Sequence, residues 1–220
     1  MSKDNLVIAI DGPAGAGKST VAKALARDLG LKYLDTGAMY RALAYKAMRR
    51  GLGAKQGDEA AALGEETKIE FGAGDPPAVL LDGEDVSGDI RTLEIGELAS
   101  ALSAFPSVRA ILVARQKEMV REGGYTLEGR DVTTVVAPDA DVKVYLTASL
   151  EERAKRRHIE MEEKGVADEY TRVRKEMQVR DHRDITREDS PLMVASGATV
   201  IESGGLTPQE VLDRIKALIP

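Results

Sequence analysis

The 220-residue chain contains no cysteine, so disulfides and thiolate metal sites are excluded. Hydrophobic residues make up 43% of the sequence but aromatic residues only 4%, so the core must consist of aliphatic side chains and methionine. The formal net charge of −6 argues against general binding to nucleic acid. A chain of this length is expected to form one compact domain.

The first apolar segment, 6–10, has the composition of a β-strand and is too short for a signal peptide. No later segment approaches the length of a membrane span. We therefore expect a cytoplasmic protein with no membrane partner. The net acidity and the absence of an obvious hydrophobic seam favour a monomer.

A glycine-rich segment directly after that strand carries the strongest functional signal. It matches the P-loop pattern G-x-x-x-x-G-K-[ST], and Val21, Leu25 and Leu29 follow it with helical spacing. A loop between a strand and a helix turns its N–H groups toward phosphate oxygens, and the lysine adds a charge for the outer phosphates. The motif predicts that a nucleoside triphosphate is bound by Gly12, Pro13, Ala14, Gly15, Ala16, Gly17, Lys18, Ser19 and Thr20.

The next elements are a strand at 32–34, a helix that ends near Gly51, and a loop with a short helix over 51–64. Gly30 is expected to end the helix that follows the P-loop. Two short strands at 67–71 and 78–81 then indicate a β-hairpin inserted between helices. We expect the edge of this hairpin at Asp82 and Gly83.

The second half of the chain again alternates helices with strands. Helices are predicted at about 93–104, 107–122, 149–164, 168–187 and after Thr207, and strands at 125–127, 142–146 and 199–201. Ser149 with Glu152, and Thr207 with Glu210, have the spacing of capping boxes. This alternation indicates a parallel sheet that is covered by helices on both faces.

Isolated charged residues separate this chain from other P-loop classes. The N-K-x-D element of guanine-specific GTPases is absent from the sequence, and a nucleic-acid motor would carry a basic surface. Transfer between two phosphate-bearing ligands instead needs several separate cations. The candidates at the ligand-binding edge of the sheet are Arg41, Arg130, Asp131, Arg180, Asp184 and Arg187, of which the last three share one predicted helix face.

On these motifs the chain resembles the bacterial cytidylate kinases, of the nucleoside monophosphate kinase superfamily. The matching segments are 10–20, 35–41, 83–91, 104–109, 128–131, 134–136, 138–140 and 180–184, in the family's order. Segment 83–91 and the hairpin before it discriminate best, because adenylate and guanylate kinases lack this form of insert. Thr133 and Ala137 depart from the family, whose members often have glycine and an aromatic residue there.

The resemblance implies a P-loop three-layer α/β fold: a central five-stranded parallel sheet, helices on both faces, a small β-hairpin insert and a helical lid. It implies one kinase domain over 1–220. Its core would be about 1–36, 104–148 and 188–220, its CMP-binding insert about 37–103, and its lid and arginine helices about 149–187, with a flexible tip at 164–165. The implied reaction transfers the γ-phosphoryl group of ATP to CMP or dCMP, with Mg²⁺.

Carried over residue by residue, the resemblance also implies an acceptor site. Its residues would be Thr36, Arg41, Ser100, Arg109, Arg130, Asp131, Arg180, Asp184 and Arg187. Arg41 and Arg130 would hold the acceptor phosphate, and Ser100, Arg109 and Asp131 would meet the cytosine. Arg180 and Asp184 would contact the ribose hydroxyls. Arg187 would help to neutralise the transferring phosphate.

On the donor side, Lys18 would bridge the phosphates of ATP and would form the catalytic set together with Arg130 and Arg187. The hydroxyl of Ser19, with that of Thr20 as the alternative, would lie close to Mg²⁺. Arg153 and Arg157 in the lid share a helix face and would reach the phosphates of ATP. No general base is required, because the acceptor phosphate is already an anion.

The implied role of Asp131 gives a physical reason for cytosine preference. A carboxylate accepts a hydrogen bond from the cytosine amine but faces a carbonyl lone pair in uracil. Mispaired polar groups of this kind cost about 1–3 kcal/mol each. The sequence therefore predicts that CMP and dCMP are preferred to UMP.

Simpler structural explanations stay open for several of these residues. Arg180 and Asp184 could form an ordinary helix ion pair worth about 0.3–0.5 kcal/mol. Arg109 could lie on the surface, and the arginines at 153–157 alternate with glutamates as in a solvated helix. His158 and His182 have no metal spacing, so we interpret both as structural.

Two other functions also remain open. One is a P-loop kinase for another small acceptor, such as UMP or shikimate. The other is a non-catalytic regulator that only binds ATP. The presence of Lys18, Arg41, Arg130 and Arg187 argues against a pure sensor, which needs no clamp for an acceptor phosphate.

Overall fold

The computed structural model describes residues 5–163 and 169–220. The strands of this part of the chain are β1 Val7–Asp11, β2 Lys32–Asp35, β3 Ile69–Phe71, β4 Val79–Leu81, β5 Glu84–Asp85, β6 Tyr125–Gly129, β7 Val142–Thr147 and β8 Thr199–Glu202. The helices are α1 Lys18–Leu29, α2 Thr36–Arg49, α3 Gly57–Glu65, α4 Leu93–Leu102, α5 Pro106–Val120, α6 Leu150–Glu163, α7 Tyr170–Thr186 and α8 Pro208–Lys216.

Five strands form one sheet in the order β2-β6-β1-β7-β8. Strand β1 runs parallel to both neighbours, with Ile10 opposite Glu128 of β6 and Val144 of β7. Because the strands are parallel, the carboxyl ends of β1 and β6 lie side by side. The residues that follow them, the P-loop and the segment from Arg130, therefore begin at one edge of the sheet.

The core around β1 explains why this strand is central. Ile8, Ala9 and Ile10 are completely buried, as expected for a parallel strand with both faces covered. Each large aliphatic side chain buried in this way stabilises the fold by about 1.5–3 kcal/mol. The predicted α/β fold, a five-stranded parallel sheet surrounded by helices, is confirmed.

The chain divides into two compact units. The first comprises Met1–Lys32 and Gly123–Pro220, and the second comprises Tyr33–Glu122. The second unit contains helices α2 to α5 and a separate antiparallel sheet in the order β3-β4-β5. The predicted insert lies within this second unit, and the division into core, insert and lid stays a prediction.

The small sheet has one strand more than the predicted hairpin. Asp82 and Gly83 both have positive φ, at 50° and 89°, and join β4 to β5 as a two-residue turn. Asp-Gly is a preferred sequence for such a turn. The prediction that these two residues form the edge was wrong, because the chain turns there and pairs once more.

Several helix ends lie where the sequence predicts them. Gly30 ends α1 in the left-handed conformation, and its N–H donates to the carbonyl of Ala26. Thr207 and Glu210 form a complete capping box at the start of α8. Ser149 and Glu152 also exchange side-chain and backbone hydrogen bonds before α6.

Two other sequence predictions concern membranes and the lid tip. Within the described residues no single helix is long and apolar enough to cross a membrane, although α4 and α5 together pass that test with a bend of 101° between them. The predicted flexible tip at 164–165, and the predicted start of a helix at Asp168, lie outside the described residues.

Candidate active site

The P-loop begins against the neighbouring strand. Gly12 has φ 150°, and a Cβ placed on it would lie 1.9 Å from the carbonyl oxygen of Leu146 in β7. No side chain can be accommodated at that distance from backbone. The first glycine of the motif is therefore required by close packing of the loop on the sheet.

The next part of the loop packs against the two helices α6 and α7. Gly15 has φ 75°, and a Cβ on it would lie 2.9 Å from Cε of Met177 and 3.0 Å from the carbonyl oxygen of Arg153. Glycine avoids both the backbone strain and the contact. The loop is thus held between β7 on one side and these helices on the other.

Lys18, the first residue of α1, is only 5% exposed. Its Nζ donates to the carbonyl oxygen of Pro13 at 2.8 Å, which curls the side chain back over the loop. Burial, with repulsion from Arg130 and Arg180, lowers the pKa of Lys18 to about 7. Glu128 and Asp11 raise that pKa in part, so Lys18 lies in a cluster of both charges in which burial and the two arginines prevail.

Ser19 and Thr20 are exposed in the first turn of α1. Their backbone N–H groups belong to a helix N-terminus, which carries positive partial charge. An exposed hydroxyl beside a phosphate-binding loop suits a hydrated Mg²⁺, which keeps several waters and takes few protein ligands. The position of Ser19 fits its predicted role.

Arg130 follows β6 and is paired with an aspartate far along the chain. Its Nε donates to Oδ2 of Asp184 at 2.9 Å, and both side chains are largely buried. Although burial raises the pKa of Asp184, the guanidinium groups of Arg130, Arg180 and Arg187 hold that pKa below its usual range. Asp184 thus binds an arginine outside its own helix, which an ordinary ion pair between Arg180 and Asp184 does not explain.

Asp131 lies beside Arg187 in the same region. One oxygen of Asp131 is 3.6 Å from Nη2 of Arg187, and both side chains are buried. Arg187 also donates from Nε and Nη2 to the carbonyl oxygen of Ser190. Helix α7 ends at Thr186, and Arg187 has an extended backbone with ψ 142°, so its predicted place on the helix face is wrong.

Asp11 is a further residue of this region, and none of the sequence motifs indicates a role for it. It ends β1, and its carboxylate accepts hydrogen bonds from the N–H groups of Val132 and Thr133, at 2.9 and 2.8 Å, and from the Thr133 hydroxyl. Burial raises the pKa of Asp11 to about 6 against these hydrogen bonds. Asp11 therefore fixes the turn of π-helix, Val132–Val136, that follows Arg130 and Asp131.

The lid arginines differ in their surroundings. Arg153 is buried and donates to Asp181 at 2.6 Å and to the carbonyl oxygen of Ala14, within the P-loop, at 2.9 Å. Arg157 is half-buried and pairs with Glu160 on its own helix. Direct contact of either arginine with ATP stays a prediction, and Arg153 already contacts the loop that would bind ATP.

In the second unit, Asp35 organises the start of α2. Its carboxylate caps the helix by accepting from the N–H of Ala38 and accepts from Nη2 of Arg41 at 2.7 Å. Burial raises the pKa of Asp35, but Arg41 and the Ala38 N–H together have a larger, opposite effect. The pKa of Asp35 is therefore below its usual range. Thr36, the first residue of α2, is buried beside them.

Gly37 leaves the space in which Asp35 and Arg41 meet. A Cβ on it would lie 3.2 Å from Oδ1 of Asp35 and 3.3 Å from Nη1 of Arg41. The Nε atom of Arg41 is buried and has no hydrogen-bond partner among the described residues. Arg41 is thus oriented by an aspartate and keeps a donor for a further ligand.

Arg109 is the largest fully buried side chain among the described residues, at 2% exposure. Its guanidinium group lies over the ring of Tyr40 at 5.8 Å, and Nη1 is 3.5 Å from the carbonyl oxygen of Ser103. Ser100 is also buried, on α4. A surface position for Arg109, one of the simple explanations above, is therefore excluded.

Comparison with known proteins identifies the family. A sequence profile for cytidylate kinase matches residues 8–220. The chain is 47% identical to a cytidylate kinase of Desulfitobacterium hafniense over 216 residues, which is 98% of this chain and 93% of the relative. It is 46% identical to one of Mycobacterium leprae over 217 residues, 98% and 96% of the two chains.

Solved structures give a more distant likeness. A gluconokinase of Sinorhizobium meliloti aligns over 100% of this chain and 93% of its own length, with a TM-score of 0.51 and 13% identity. At that identity the likeness shows the fold alone. With the profile and the close relatives, the sequence and fold lead to one conclusion: the chain belongs to the cytidylate kinase family.

Proposed function

We propose that this protein transfers the γ-phosphoryl group of ATP to CMP or dCMP, giving CDP or dCDP and ADP. One observation carries the proposal. Lys18 of the P-loop is buried, and burial together with Arg130 and Arg180 lowers its pKa, although Glu128 and Asp11 oppose them. Cations gathered in this way repel one another in a buried site, and a polyphosphate between them would remove the repulsion.

On the donor side, the P-loop supplies backbone N–H groups and Lys18 supplies a charge. Ser19 would be the protein ligand nearest to Mg²⁺. When bound, the ion would neutralise negative charge on the two outer phosphates of ATP and hold them in one orientation. The half-buried Arg157 would approach ATP from the lid.

On the acceptor side, two arginines are assigned to the phosphate, and each is held by an aspartate of its own unit. In the first unit, Arg130 would hold the acceptor phosphate and would itself be held by Asp184. In the second unit, Arg41 is likewise oriented by an aspartate, and its buried Nε has no hydrogen-bond partner among the described residues. Thr36 precedes it at the start of the same helix. An arginine fixed by a carboxylate loses less side-chain entropy when it binds phosphate.

The chemistry needs positioning and charge rather than a base. The acceptor phosphate is already an anion, so no proton has to be removed from the nucleophile. Negative charge that spreads over the transferring group would be stabilised by Lys18, Arg130 and Arg187. Because these side chains are largely buried, each interaction is stronger than it would be in water.

Cytosine preference would come from Asp131 together with Ser100 and Arg109. Asp131 is buried, and its neighbour Arg187 keeps a cation beside the carboxylate. A carboxylate accepts from the 4-amino group of cytosine and repels the 4-carbonyl of uracil. Arg180 and Asp184 would contact the ribose hydroxyls. The Asp184 carboxylate would then bind both the ribose and Arg130.

The test is an assay that couples ADP release to a spectroscopic signal. CMP, dCMP, UMP, AMP, GMP and shikimate would be compared as acceptors at subsaturating concentration. We expect turnover with CMP and dCMP and at least tenfold lower kcat/KM with UMP, as one mispaired polar group implies. Equal kcat/KM for UMP and CMP would remove the assigned role of Asp131. ATP binding without turnover of any acceptor would indicate a regulator.

A cytoplasmic location and a monomeric state are part of the same proposal. Both ATP and CMP are small soluble ligands, and the net charge of −6 favours a monomer. Sedimentation velocity of the purified protein at micromolar concentration would measure the oligomeric state directly.

A further inference from the structure

A buried ion pair forms hydrogen bonds with the P-loop backbone at Ala14. Arg153 of α6 donates to the carbonyl oxygen of Ala14 at 2.9 Å and to Oδ2 of Asp181 at 2.6 Å. The other oxygen of Asp181, an α7 residue, lies 3.4 Å from the N–H of the same Ala14. The pair therefore contacts both polar groups of Ala14.

Both members of this pair are held in place. Arg153 is 6% exposed and Asp181 is 8% exposed. Arg153 also donates from Nε to the carbonyl oxygen of Ala148, so its planar guanidinium group has three separate acceptors. Buried ion pairs tolerate little misalignment, because their charges have lost the solvation of water. The side chains thus have one orientation, and the peptides that they touch are fixed with them.

The direction of these contacts matters for phosphate binding. A peptide group is planar and trans, so the carbonyl of Ala14 and the N–H of Gly15 point in opposite directions. With the carbonyl turned toward Arg153, the Gly15 N–H is turned away from α6. A cation on the carbonyl also polarises the peptide and makes its N–H a better donor. Packing of Arg153 and Met177 against Gly15 supports the same orientation.

We propose that the Arg153–Asp181 ion pair positions the phosphate-binding loop: it sets the peptide groups around Ala14 so that the loop N–H groups face the donor nucleotide. Arg153 and Asp181 are then positioning residues that act through the loop. The inference rests on the proposed function only in taking an adenine nucleotide as the ligand. It gives Arg153 a different task from the direct contact with ATP that the sequence suggested.

The molecule offers a matched control for this pair. Arg174 and Glu151 also connect α7 with α6, at 2.7 Å, but their side chains are 40% and 62% exposed. Among the described contacts this second pair touches no part of the P-loop. Removing it changes the link between the helices without changing the contacts of Ala14.

The experiment measures Mg·ADP binding by calorimetry together with stability in urea. In Asp181→Asn and Arg153→Met we expect at least tenfold weaker ADP binding, with the KM for CMP changed less than twofold. The control Glu151→Gln should bind ADP within twofold of the wild type. Equal ADP affinity in the wild type and both test variants, once they are folded by circular dichroism, would overturn the proposal.

A double variant separates positioning from stability. Arg153→Met with Asp181→Leu replaces the pair by apolar side chains, which often restores the stability lost in single variants. We expect stability to recover while ADP affinity stays at least tenfold low. Recovery of both together would mean that the pair is only structural, and the proposal would fail.

Arg153→Lys covers the case in which the other variants do not fold. Lysine keeps the charge for Asp181 but lacks the fork that spans three acceptors. We expect a folded protein whose ADP affinity is reduced by threefold or more, and wild-type affinity would count against the proposal. A wild type that binds ADP but does not phosphorylate CMP would refute the proposed function alone.

Discussion

The two halves of helix α7 both carry charged side chains, but the ion pairs that these form are mostly exposed in the first half and buried in the second. In the first half, Arg172 pairs with Glu176 at 2.9 Å and Arg174 with Glu151, and these side chains are mostly exposed. In the second half, Asp181 and Asp184 bind Arg153 and Arg130, and both aspartates are buried. One helix therefore carries a solvated charge pattern at one end and the supports of the candidate site at the other.

The difference teaches that the number of charges on a helix says little about their function. Residues 153–187 contain eight arginines. An exposed ion pair contributes about 0–1 kcal/mol. Removal of one partner from a buried pair costs about 3–5 kcal/mol, because the other charge is left without compensation. Burial and the distance of the partner along the chain separate the two groups.

The largest expected effect comes from the buried arginine that would touch substrate. Arg130→Met should lower kcat by about 10³-fold, equivalent to about 4 kcal/mol, because a charge that stabilises the transferring phosphate is lost. ADP affinity should fall much less. Steady-state kinetics and calorimetry would measure the two quantities, with Arg172→Met as the exposed control. Equal losses in kcat and in ADP affinity would contradict the assignment of Arg130 to the acceptor site.

The next effect concerns the stability that the buried half supplies. Asp184→Asn should lower the free energy of unfolding by about 3 kcal/mol at pH 7, since Arg130 is left buried without its carboxylate. Because the folded-state pKa of Asp184 is lowered, its contribution is present above the ordinary carboxyl range and is lost as the pH falls through the folded value. Urea unfolding at pH 7 and pH 3 would measure this, and Glu176→Gln should change stability by less than about 0.5 kcal/mol.

A smaller effect is expected at the turn after Arg130. Thr133→Val removes the hydroxyl that donates to Asp11 and should cost about 2 kcal/mol, the range for hydrogen bonds to charged groups. It should also raise the pKa of Asp11 above about 6, because a bond that favours the carboxylate is lost. Thr134→Val is the control, since that hydroxyl only reaches a carbonyl oxygen at 3.3 Å. Similar losses of stability in both variants would contradict the special role of Thr133.

The smallest effect is a proton taken up when nucleotide binds. The pKa of Lys18 is about 7 in the free protein, so most of its amine is neutral at pH 8. A phosphate beside it favours the ammonium form and raises that pKa, so ADP affinity should fall by up to about tenfold per pH unit above 7. Calorimetry at pH 8 in buffers of different ionisation enthalpy would measure the uptake. Lys18→Arg should abolish it, and unchanged uptake in that variant would assign the proton elsewhere.

Much of the fold could be predicted because its signals are local. The P-loop, the strand before it and the caps at Gly30 and Thr207 depend on residues within a few positions of one another. The sequence patterns did not predict the third strand of the small sheet, although Asp82 and Gly83 are typical of a tight turn. Strand β5 has only two residues, which is too short for a periodic pattern.

The supports of the candidate site could not be predicted in the same way. Asp184 and Arg130 are 54 residues apart in sequence, Asp181 and Arg153 are 28 apart, and no periodicity connects them. Asp11 could have been found from its place, since a carboxylate at the end of a central parallel strand faces the ligand-binding edge. Its partners in the turn after β6 still depended on the packing of β1 against that strand.

The Asp11 carboxylate gives the unsubstituted protein a spectroscopic reporter. The amide protons of Val132 and Thr133 point at an oxygen pair that changes charge near pH 6. Amide protons that face an ionised carboxylate resonate downfield, and protonation of the acid reverses that shift. The proton–nitrogen NMR cross-peaks of Val132 and Thr133 should therefore report the charge of the Asp11 carboxylate. They can be followed during a pH titration or as nucleotides are added.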